Sequence, residues 1–234
     1  MKKYKRILFC AIFLGLISAS WPFSWLFSHP NPEVFGTRTW IQKEFEIIHS
    51  LVPNIDAKVL RLSLTAYVRA RKEGYDNKQL LTVIDYSKPS SEKRLWVFDI
   101  KKGKVLLNTW VSHGKNSGNA TSNSFSNSNG SLKSSIGVFV TDKPYVGGHG
   151  ISLRMKGLEK GVNDHAYDRN IVFHGAAYVS GAAARQRGQI GRSWGCPAVS
   201  MDTIKSLVDT IKENTVVFAY YPDSNWLKNS KYVA

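Results

Sequence analysis

One cysteine and one histidine are the residues of this chain whose types best suit nucleophilic chemistry. Cys196 stands between Gly195 and Pro197, and His174 follows an apolar run at residues 171–173. A thiol attacks as its thiolate, and a neighbouring imidazole can accept the thiol proton. A histidine at the end of a strand is held rigidly, as a general base must be. The pattern therefore predicts a cysteine nucleophile with a histidine base.

The residues around the thiol predict a tight turn that presents main-chain donors. Gly195 allows the backbone to turn sharply and lets a substrate carbonyl approach closely. We expect the N–H groups of Gly195 and Cys196 to form an oxyanion hole, the donor pair that stabilises a tetrahedral intermediate. Ser193 either donates a hydrogen bond to the substrate or shapes the turn, and both interpretations stay open.

The first twenty residues have the pattern of an export signal. Four basic residues within the first six positions precede an uncharged apolar run at 7–17, and residues 18–20 are small. An uncleaved anchor is the alternative, because residues 21–27 are also apolar. We expect the protein in the periplasm or cell envelope, with membrane contact only through this segment.

The number of cysteines favours a functional thiol. The chain has two, Cys10 within the apolar run and Cys196. Cleavage of the signal would leave Cys196 alone in an oxidising compartment, where a spare thiol is a liability unless it is buried or used. A small buried hydrophobic side chain is the structural alternative for Cys196.

The charge of the chain favours anionic partners. The formal charge is +15, and loss of the four basic residues at the N-terminus would leave +11. Such a surface attracts polyanions, and for an exported protein an acidic envelope polymer is favoured over nucleic acid. A merely solvated basic surface is the alternative. We expect no nucleic-acid partner, since the chain has none of the motifs that bind one.

Hydrophobic periodicity predicts helices first and strands afterwards. Within an irregular, then helical region at 21–75, helices are expected at 40–51 and at about 54–73, the second capped by Asn54. A catalytic domain is expected at 76–223, followed by a tail at 224–234, and a polar loop at 115–135 interrupts the strands. The strands are expected at 81–86, 95–100, 105–112, 136–141, 171–174 and 215–220. A helix capped by Ser200 has one apolar face, formed by Ile204, Leu207, Val208 and Ile211.

The motif Ser193-x-Gly195-Cys196, preceded by His174-Gly175, resembles the signature of the YkuD-like L,D-transpeptidase catalytic domain. The match is closer to its murein L,D-transpeptidase branch, which ends the motif in Gly-Cys-Pro. The resemblance covers roughly residues 55–220. It implies a mainly β, β-sandwich-like catalytic domain with an N-terminal helical preface and a helix after the nucleophile. Further segments that fit the branch are 110–118, 125–127, 134–137, 157–159, 163–164 and 169–172.

The resemblance also implies a reaction on the stem peptides of peptidoglycan. The thiolate would attack the bond between the L-centre of a diamino acid and a terminal D-alanine, giving a thioester. An amine of another stem would then produce a cross-link, whereas water would give an L,D-carboxypeptidase. In the family a backbone carbonyl orients the histidine. A non-catalytic basic module that binds the wall is the alternative from another class of protein.

The chain departs from the wider family on both sides of Gly-Cys. Trp194 stands where histidine is frequent, and Ala198 stands where arginine or asparagine is frequent. We expect His113 or Arg192 to supply the missing substrate contacts. Tyr178 is expected either to line the groove or to pack in the core. Two more arginines near Arg192 either grip stem-peptide carboxylates or form a solvated basic loop; they are Arg185 and Arg187.

No cofactor or metal is expected. The chain contains no P-loop, no dinucleotide glycine motif and no paired metal-ligand spacing. His149 lies among glycines and predicts a flexible turn. His165 lies near Asp164 and Asp168, but the chain offers no further ligand at a suitable spacing. The sequence leaves the oligomeric state open.

Overall fold

The computed structural model describes residues 34–234. The predicted export signal at 1–20 and the beginning of the region predicted at 21–75 lie outside the described residues. Within residues 34–234, none of the helices has both the length and the apolar character that a membrane span requires.

Two helices precede the strands, as predicted. Helix α1 spans Arg38–Leu51 and helix α2 spans Ala57–Lys72. The cap of α2 is Asp56, whose carboxylate accepts from the Val59 N–H at 3.0 Å, so the prediction of Asn54 as the cap was wrong. A carboxylate directly before the first turn satisfies an N–H group that would otherwise lack a partner. Helix α2 packs one face on the sheet, and its buried members include Val59, Leu60, Leu64, Ala66, Tyr67 and Ala70.

The strands form one hydrogen-bonded sheet of eight members in the order β3-β2-β1-β8-β4-β5-β6-β7. The pairs β1–β8 and β6–β7 are parallel, and the remaining neighbours are antiparallel. The strands are β1 (Leu80–Asp85), β2 (Leu95–Asp99), β3 (Lys104–Thr109), β4 (Gly137–Gly147), β5 (Gly150–Gly157), β6 (Val172–Gly175), β7 (Ala198–Val199) and β8 (Val216–Tyr220).

The predicted fold class is confirmed. Each of the six expected strands is present, with ends shifted by a few residues, and β4 extends well beyond its expected end. Four elements were not predicted: β5, β7, helix α3 (Gly181–Arg187) and helix α5 (Ser224–Asn229). Residues 151–156 of β5 alternate apolar and polar side chains, which is the period-2 pattern of a strand, so β5 was predictable from the sequence although the prediction missed it. The very short β7 exists only through its pairing with β6.

Helix α4 (Met201–Ile211) supports the strand that carries the histidine. Its buried face is the predicted one, Ile204, Leu207, Val208 and Ile211, and it contacts β5 and β6. Ser200 occupies the cap position, although its side chain makes no capping hydrogen bond. A Cβ added at Gly175 would lie 2.9 Å from atoms of both Met201 and Ile204, so glycine there allows α4 to approach β6 closely.

The residues predicted as a tail are packed against the domain. Trp226 of α5 is buried, and its indole N–H donates to the buried carboxylate of Glu159 at 3.0 Å. The Ser230 hydroxyl donates to the same carboxylate oxygen. Tyr232 is fully buried. Residues 224–234 therefore contribute to the core beside β4, because the Val138 N–H also donates to Glu159.

Candidate active site

Cys196 and His174 line the same groove, whose volume is about 390 Å³. The tip of the β4–β5 hairpin, the segment 169–174 and the turn 192–196 form its walls. Cys196 is half-buried and opens on this groove, whereas most of the His174 side chain is covered. The structure thus brings together the two residues that the sequence predicts as nucleophile and base.

Strand pairing accounts for this proximity. In the parallel pair β6–β7, His174 lies opposite Ala198, which follows Cys196 by two residues. Neighbouring strands lie about 4.8 Å apart, so this register holds the nucleophile turn beside the histidine. The same strand pairs on its other side with β5, where Ser152 lies opposite His174. The histidine is therefore fixed from both sides of its strand.

The thiol is surrounded by main-chain groups. The Cys196 Sγ donates to the Asn170 carbonyl at 3.4 Å and accepts from the Val172 N–H at 3.5 Å. Burial raises the pKa of Cys196, while the Val172 N–H and the positive charge of Arg169 act to lower it. Because charge in a desolvated site is costly, the resting sulfur is a thiol that these two groups help to ionise.

The orientation of His174, the predicted base, is set by its own strand. The Nδ1 atom of His174 lies 3.0 Å from the Gly175 carbonyl, which can only accept, so Nδ1 carries the proton and Nε2 is the basic atom. Burial lowers the pKa of His174, the Gly175 carbonyl opposes this, and His149 lowers it further. The imidazole is thus neutral at neutral pH. Among residues 34–234, the hydrogen-bond partners of the thiol do not include His174, so a proton transfer to His174 would require the S–H to turn first.

A second histidine covers the ring of His174, the predicted base. His149 lies at the glycine-rich tip between β4 and β5, and its ring stacks on that of His174 with centroids 4.5 Å apart and planes 22° apart. The sequence predicted only a flexible turn at His149. No local signal reveals the contact, because it depends on the register of three strands.

The nucleophile turn is closed by its own serine. The Ser193 hydroxyl donates to the Cys196 carbonyl at 2.6 Å and accepts from the Gly195 N–H at 3.1 Å. The Gly195 N–H is therefore occupied, and its expected role as an oxyanion donor would require this bond to break. Within the described chain, the Cys196 N–H has no acceptor, so it remains as the main-chain donor beside the sulfur. Ser193 shapes the turn, which is one of the two roles that the sequence left open.

The serine-rich loop at 115–135 stabilises the nucleophile turn through a buried hydroxyl group. The buried Ser134 hydroxyl donates to the Gly195 carbonyl at 2.9 Å and accepts from the Gly114 N–H at 3.0 Å. Gly195 has a φ of +132°, and a Cβ there would lie 2.9 Å from the Lys133 carbonyl oxygen. A side chain at position 195 would thus strain the backbone and displace the loop.

Arg169 ties the loop to the groove. Its Nη1 atom donates to the Ser126 carbonyl and to Ser135 Oγ, the latter at 2.6 Å. Its Nη2 atom donates to Ser131 Oγ at 3.1 Å and to the Lys133 carbonyl at 2.7 Å. Sequence reasoning did not select Arg169 as a site residue, although it falls within a segment that fits the family. Its importance comes from its place beside the sulfur, which sequence alone does not show.

His113 lies outside the groove. Its side chain is fully buried, and Nδ1 lies 2.7 Å from Nη2 of the equally buried Arg94. Burial and the charge of Arg94 lower the pKa of His113 to about 4, so the ring is neutral and accepts from the guanidinium at Nδ1. Contact between His113 and a substrate is therefore blocked in this packing. Its carbonyl instead accepts from the Ser193 N–H at 2.9 Å and helps to hold the nucleophile turn.

The other expected substrate contacts do line the groove. Arg192 and Tyr178 belong to its wall, together with Trp194, whose side chain is 76% exposed. Arg192 Nη1 donates to the Lys115 and Gly118 carbonyls at 3.1 and 2.9 Å. Arg185 and Arg187 lie on or at the end of the short helix α3, outside the groove wall. Among the residues that the structure describes, no three His, Cys, Asp or Glu side chains are placed to hold a metal ion.

The fold and the groove define a mainly β domain with a cysteine–histidine site. The sequence profile described as the L,D-transpeptidase catalytic domain matches residues 52–220, and the chain belongs to this family. The resemblance seen in the motifs is thereby confirmed for the family, whereas the Gly-Cys-Pro branch remains a prediction. No curated protein sequence matches the chain.

Solved structures of L,D-transpeptidases resemble the chain only distantly. An L,D-transpeptidase from Mycobacterium smegmatis is 15% identical over 61% of this chain and 59% of that one, with a TM-score of 0.36. An L,D-transpeptidase from Stackebrandtia nassauensis is 12% identical over 78% of this chain and 91% of that one, with a TM-score of 0.37. The chain thus spans less than two thirds of the first of these proteins.

Proposed function

We propose that this chain is an exported L,D-transpeptidase that acts on peptidoglycan stem peptides through a thioester on Cys196. The observation that carries the proposal is the shared groove, in which the thiol of Cys196 faces the same space as the imidazole of His174. Membership of the L,D-transpeptidase catalytic-domain family supports the substrate class. Export is inferred from the N-terminal sequence pattern alone, and the periplasm or cell envelope is the proposed location.

The first step is attack by sulfur on the stem peptide. Nε2 of His174 accepts the thiol proton, and Sγ of Cys196 bonds to the carbonyl carbon between the diamino acid and the terminal D-alanine. The carbonyl oxygen becomes an oxyanion, which the Cys196 N–H is placed to stabilise. Arg169 favours the thiolate electrostatically, which offsets part of the cost of burying charge.

Collapse of the tetrahedral intermediate releases D-alanine. The carbon–nitrogen bond breaks, and the protonated His174 donates its Nε2 proton to the leaving amine. The product is a thioester between Cys196 and the shortened stem. The Gly175 carbonyl keeps Nδ1 protonated throughout, so no acidic third residue is required.

An amine of a second stem then resolves the thioester. Nε2 of His174 accepts a proton from the attacking amine, the carbon–sulfur bond breaks, and that proton returns to the sulfur of Cys196. Attack by water instead would produce a shortened stem and make the protein an L,D-carboxypeptidase. Trp194 is exposed and lines the groove beside the nucleophile, and we infer that its apolar ring favours an incoming peptide amine over bulk water.

Mass spectrometry of peptidoglycan fragments tests the proposal. Tetrapeptide stems are incubated with the wild-type protein and, as a matched control, with Cys196→Ala. Cross-linked dimers that form only with the wild type support the transpeptidase, whereas tripeptides alone indicate the carboxypeptidase. If both proteins leave the stems unchanged while still binding wall fragments, the protein is a binding module and the proposed chemistry is wrong.

A further inference from the structure

The two stretches that build most of the site lack acidic residues. Residues 100–141 and 169–201 contain no aspartate or glutamate, while they include nine lysines and arginines. Both stretches meet at the groove, since the first contributes the supporting loop and the second contributes the base and the nucleophile. Six of these cations belong to the supporting loop or to the second stretch, whereas Lys101, Lys102 and Lys104 lie at the β2–β3 connection on the far edge of the sheet. The segments around Cys196 therefore carry six positive charges and no negative one.

A second depression adjoins the groove at Arg192. It has a volume of about 340 Å³, and its charged lining consists of Lys115, Arg187 and Arg192. Arg192 also lines the catalytic groove, so the two spaces share a wall. We name this space the basic depression.

The three cations of the basic depression have no acidic partner. Within residues 34–234, no carboxylate lies within the 4.0 Å of an ion pair from Lys115, Arg187 or Arg192. The Nη1 atom of Arg192 is held by the Lys115 and Gly118 carbonyls and by Asn119 Oδ1 at 2.8 Å. These contacts fix the guanidinium, and since Nη2 makes no hydrogen bond within residues 34–234, its hydrogens are placed to donate to a ligand. An oriented guanidinium beside two further cations suits a planar carboxylate.

We propose that the basic depression binds a free carboxylate of the stem peptide whose scissile bond lies at Cys196. This proposal rests on the proposed function and adds a position for the substrate beyond the reacting bond. The depression, at about 340 Å³, has room for a carboxylate and the atoms next to it, and the wall shared at Arg192 lets one peptide occupy both spaces. A long phosphate polymer is a less suitable ligand, because it has no scissile bond at Cys196 that would place it beside the depression.

Binding to a chemically inactive protein tests the proposal. The probe is a tetrapeptide stem with free side carboxylates, compared with the same peptide in which those carboxylates are carboxamides. Both are titrated against the full-length Cys196→Ala variant at low and moderate salt. We expect the free acid to bind about fivefold more tightly, a preference that shrinks as salt rises, because the cations are exposed.

Removal of two of the three cations should weaken the preference. In the Cys196→Ala background, the double change Lys115→Ala/Arg187→Ala should lower the preference for the acid from about fivefold to about twofold or less, the remainder being supplied by Arg192. The matched control is Lys101→Ala/Lys104→Ala, which removes two exposed lysines from the same acid-free stretch, away from the depression, and should keep the preference. Equal far-UV circular dichroism of the variants establishes that each is folded.

Three results would overturn the subsite. They are an undiminished preference in the Lys115/Arg187 variant, a preference lost equally in the control, and tight binding of a glycerol-phosphate polymer with no discrimination between the peptides. These results are separable from failure of the proposed function, because the binding experiment needs no thiol. Carboxylate discrimination without any cross-linking by the wild type would retain the subsite and refute the transpeptidase chemistry.

Discussion

The ring of His149 covers the ring of His174, with their centroids 4.5 Å apart. His174 is the proposed base, and His149 comes from the tip of the neighbouring hairpin β4–β5. The stack excludes water from one face of the base and places a second titratable ring beside it. Burial and His149 both lower the pKa of His174. The hairpin tip is therefore expected to control the pH range in which the base is neutral.

Replacement of His149 by alanine should move the acidic limb of the activity profile to higher pH. The base acts only when neutral. Loss of the covering ring exposes His174 and removes the influence of His149 that lowers its pKa, so the pKa of His174 rises. The measurement is the rate of thioester formation against pH. His149→Phe keeps an aromatic cover without the imidazole and should shift the limb less. An identical limb in all three proteins would show that the stack has no effect on the base.

Replacement of Arg169 by glutamine should raise the pKa of the Cys196 thiol. The guanidinium favours the thiolate, so its loss moves the pH midpoint of alkylation by iodoacetamide upward. Arg169→Lys keeps a positive charge, so its thiol should be alkylated at lower pH than that of Arg169→Gln. A lysine cannot donate to all four acceptors of the loop, so residues 126–135 should become more mobile in this variant. Hydrogen exchange of that segment separates the two effects. A midpoint unchanged in Arg169→Gln contradicts the electrostatic role.

Replacement of Ser134 by alanine should weaken both the fold and the nucleophile turn. The buried Gly114 N–H and the Gly195 carbonyl would each lose a partner, at a cost of about 2 kcal/mol in unfolding free energy. Denaturant unfolding measures this cost, and the rate of thioester formation should fall as well. Ser128→Ala changes an exposed serine in the same loop and should leave both quantities unchanged. Equal stability of the two variants would refute the supporting role of Ser134.

Replacement of Arg94 by alanine should destabilise the protein strongly. Its buried guanidinium donates to the Lys88 and Val111 carbonyls and to His113, all of which would lose a partner without gaining water. We expect a loss of about 3 kcal/mol or more in urea unfolding, against no measurable loss for the exposed Lys101→Ala. A much smaller loss of unfolding free energy in Arg94→Ala would contradict this expectation. It would mean that water enters the space left by the guanidinium and bonds to the groups that Arg94 satisfies.

A carbapenem-type acylating agent should add its mass to the intact wild-type protein. The β-lactam carbonyl would be attacked by Cys196 Sγ, the ring amide bond would break, and the agent would stay attached as a thioester. Mass spectrometry of the intact protein measures the adduct, and Cys196→Ser provides the comparison. No adduct on the wild type, or an equal adduct on Cys196→Ser, would contradict the nucleophile assignment.

Local pattern was sufficient for much of the fold and for the two central residues. The apolar face of α4 and most of the strands follow from periodicity, which each segment carries within itself. The place of Cys196 and His174 in one site was predictable, because both residues stand out in the sequence. Cys196 is the lone thiol of the proposed mature chain and follows a glycine, and His174 ends a predicted strand. Strand β7 was missed because two residues carry no periodic pattern, and β5 was missed although residues 151–156 alternate apolar and polar side chains.

The remainder of the site was decided by contacts between residues far apart in the chain. Sequence proposed His113 as a substrate contact, yet packing on Arg94 buries it, and sequence treated His149 as a loop residue, yet strand register lays it over the base. Arg169 is held beside the sulfur by its hydrogen bonds with the loop at 126–135. Residue types and local periodicity determine which chemistry is available. Register, burial and loop packing, which sum many weak non-local contacts, decide which groups meet and in which protonation state.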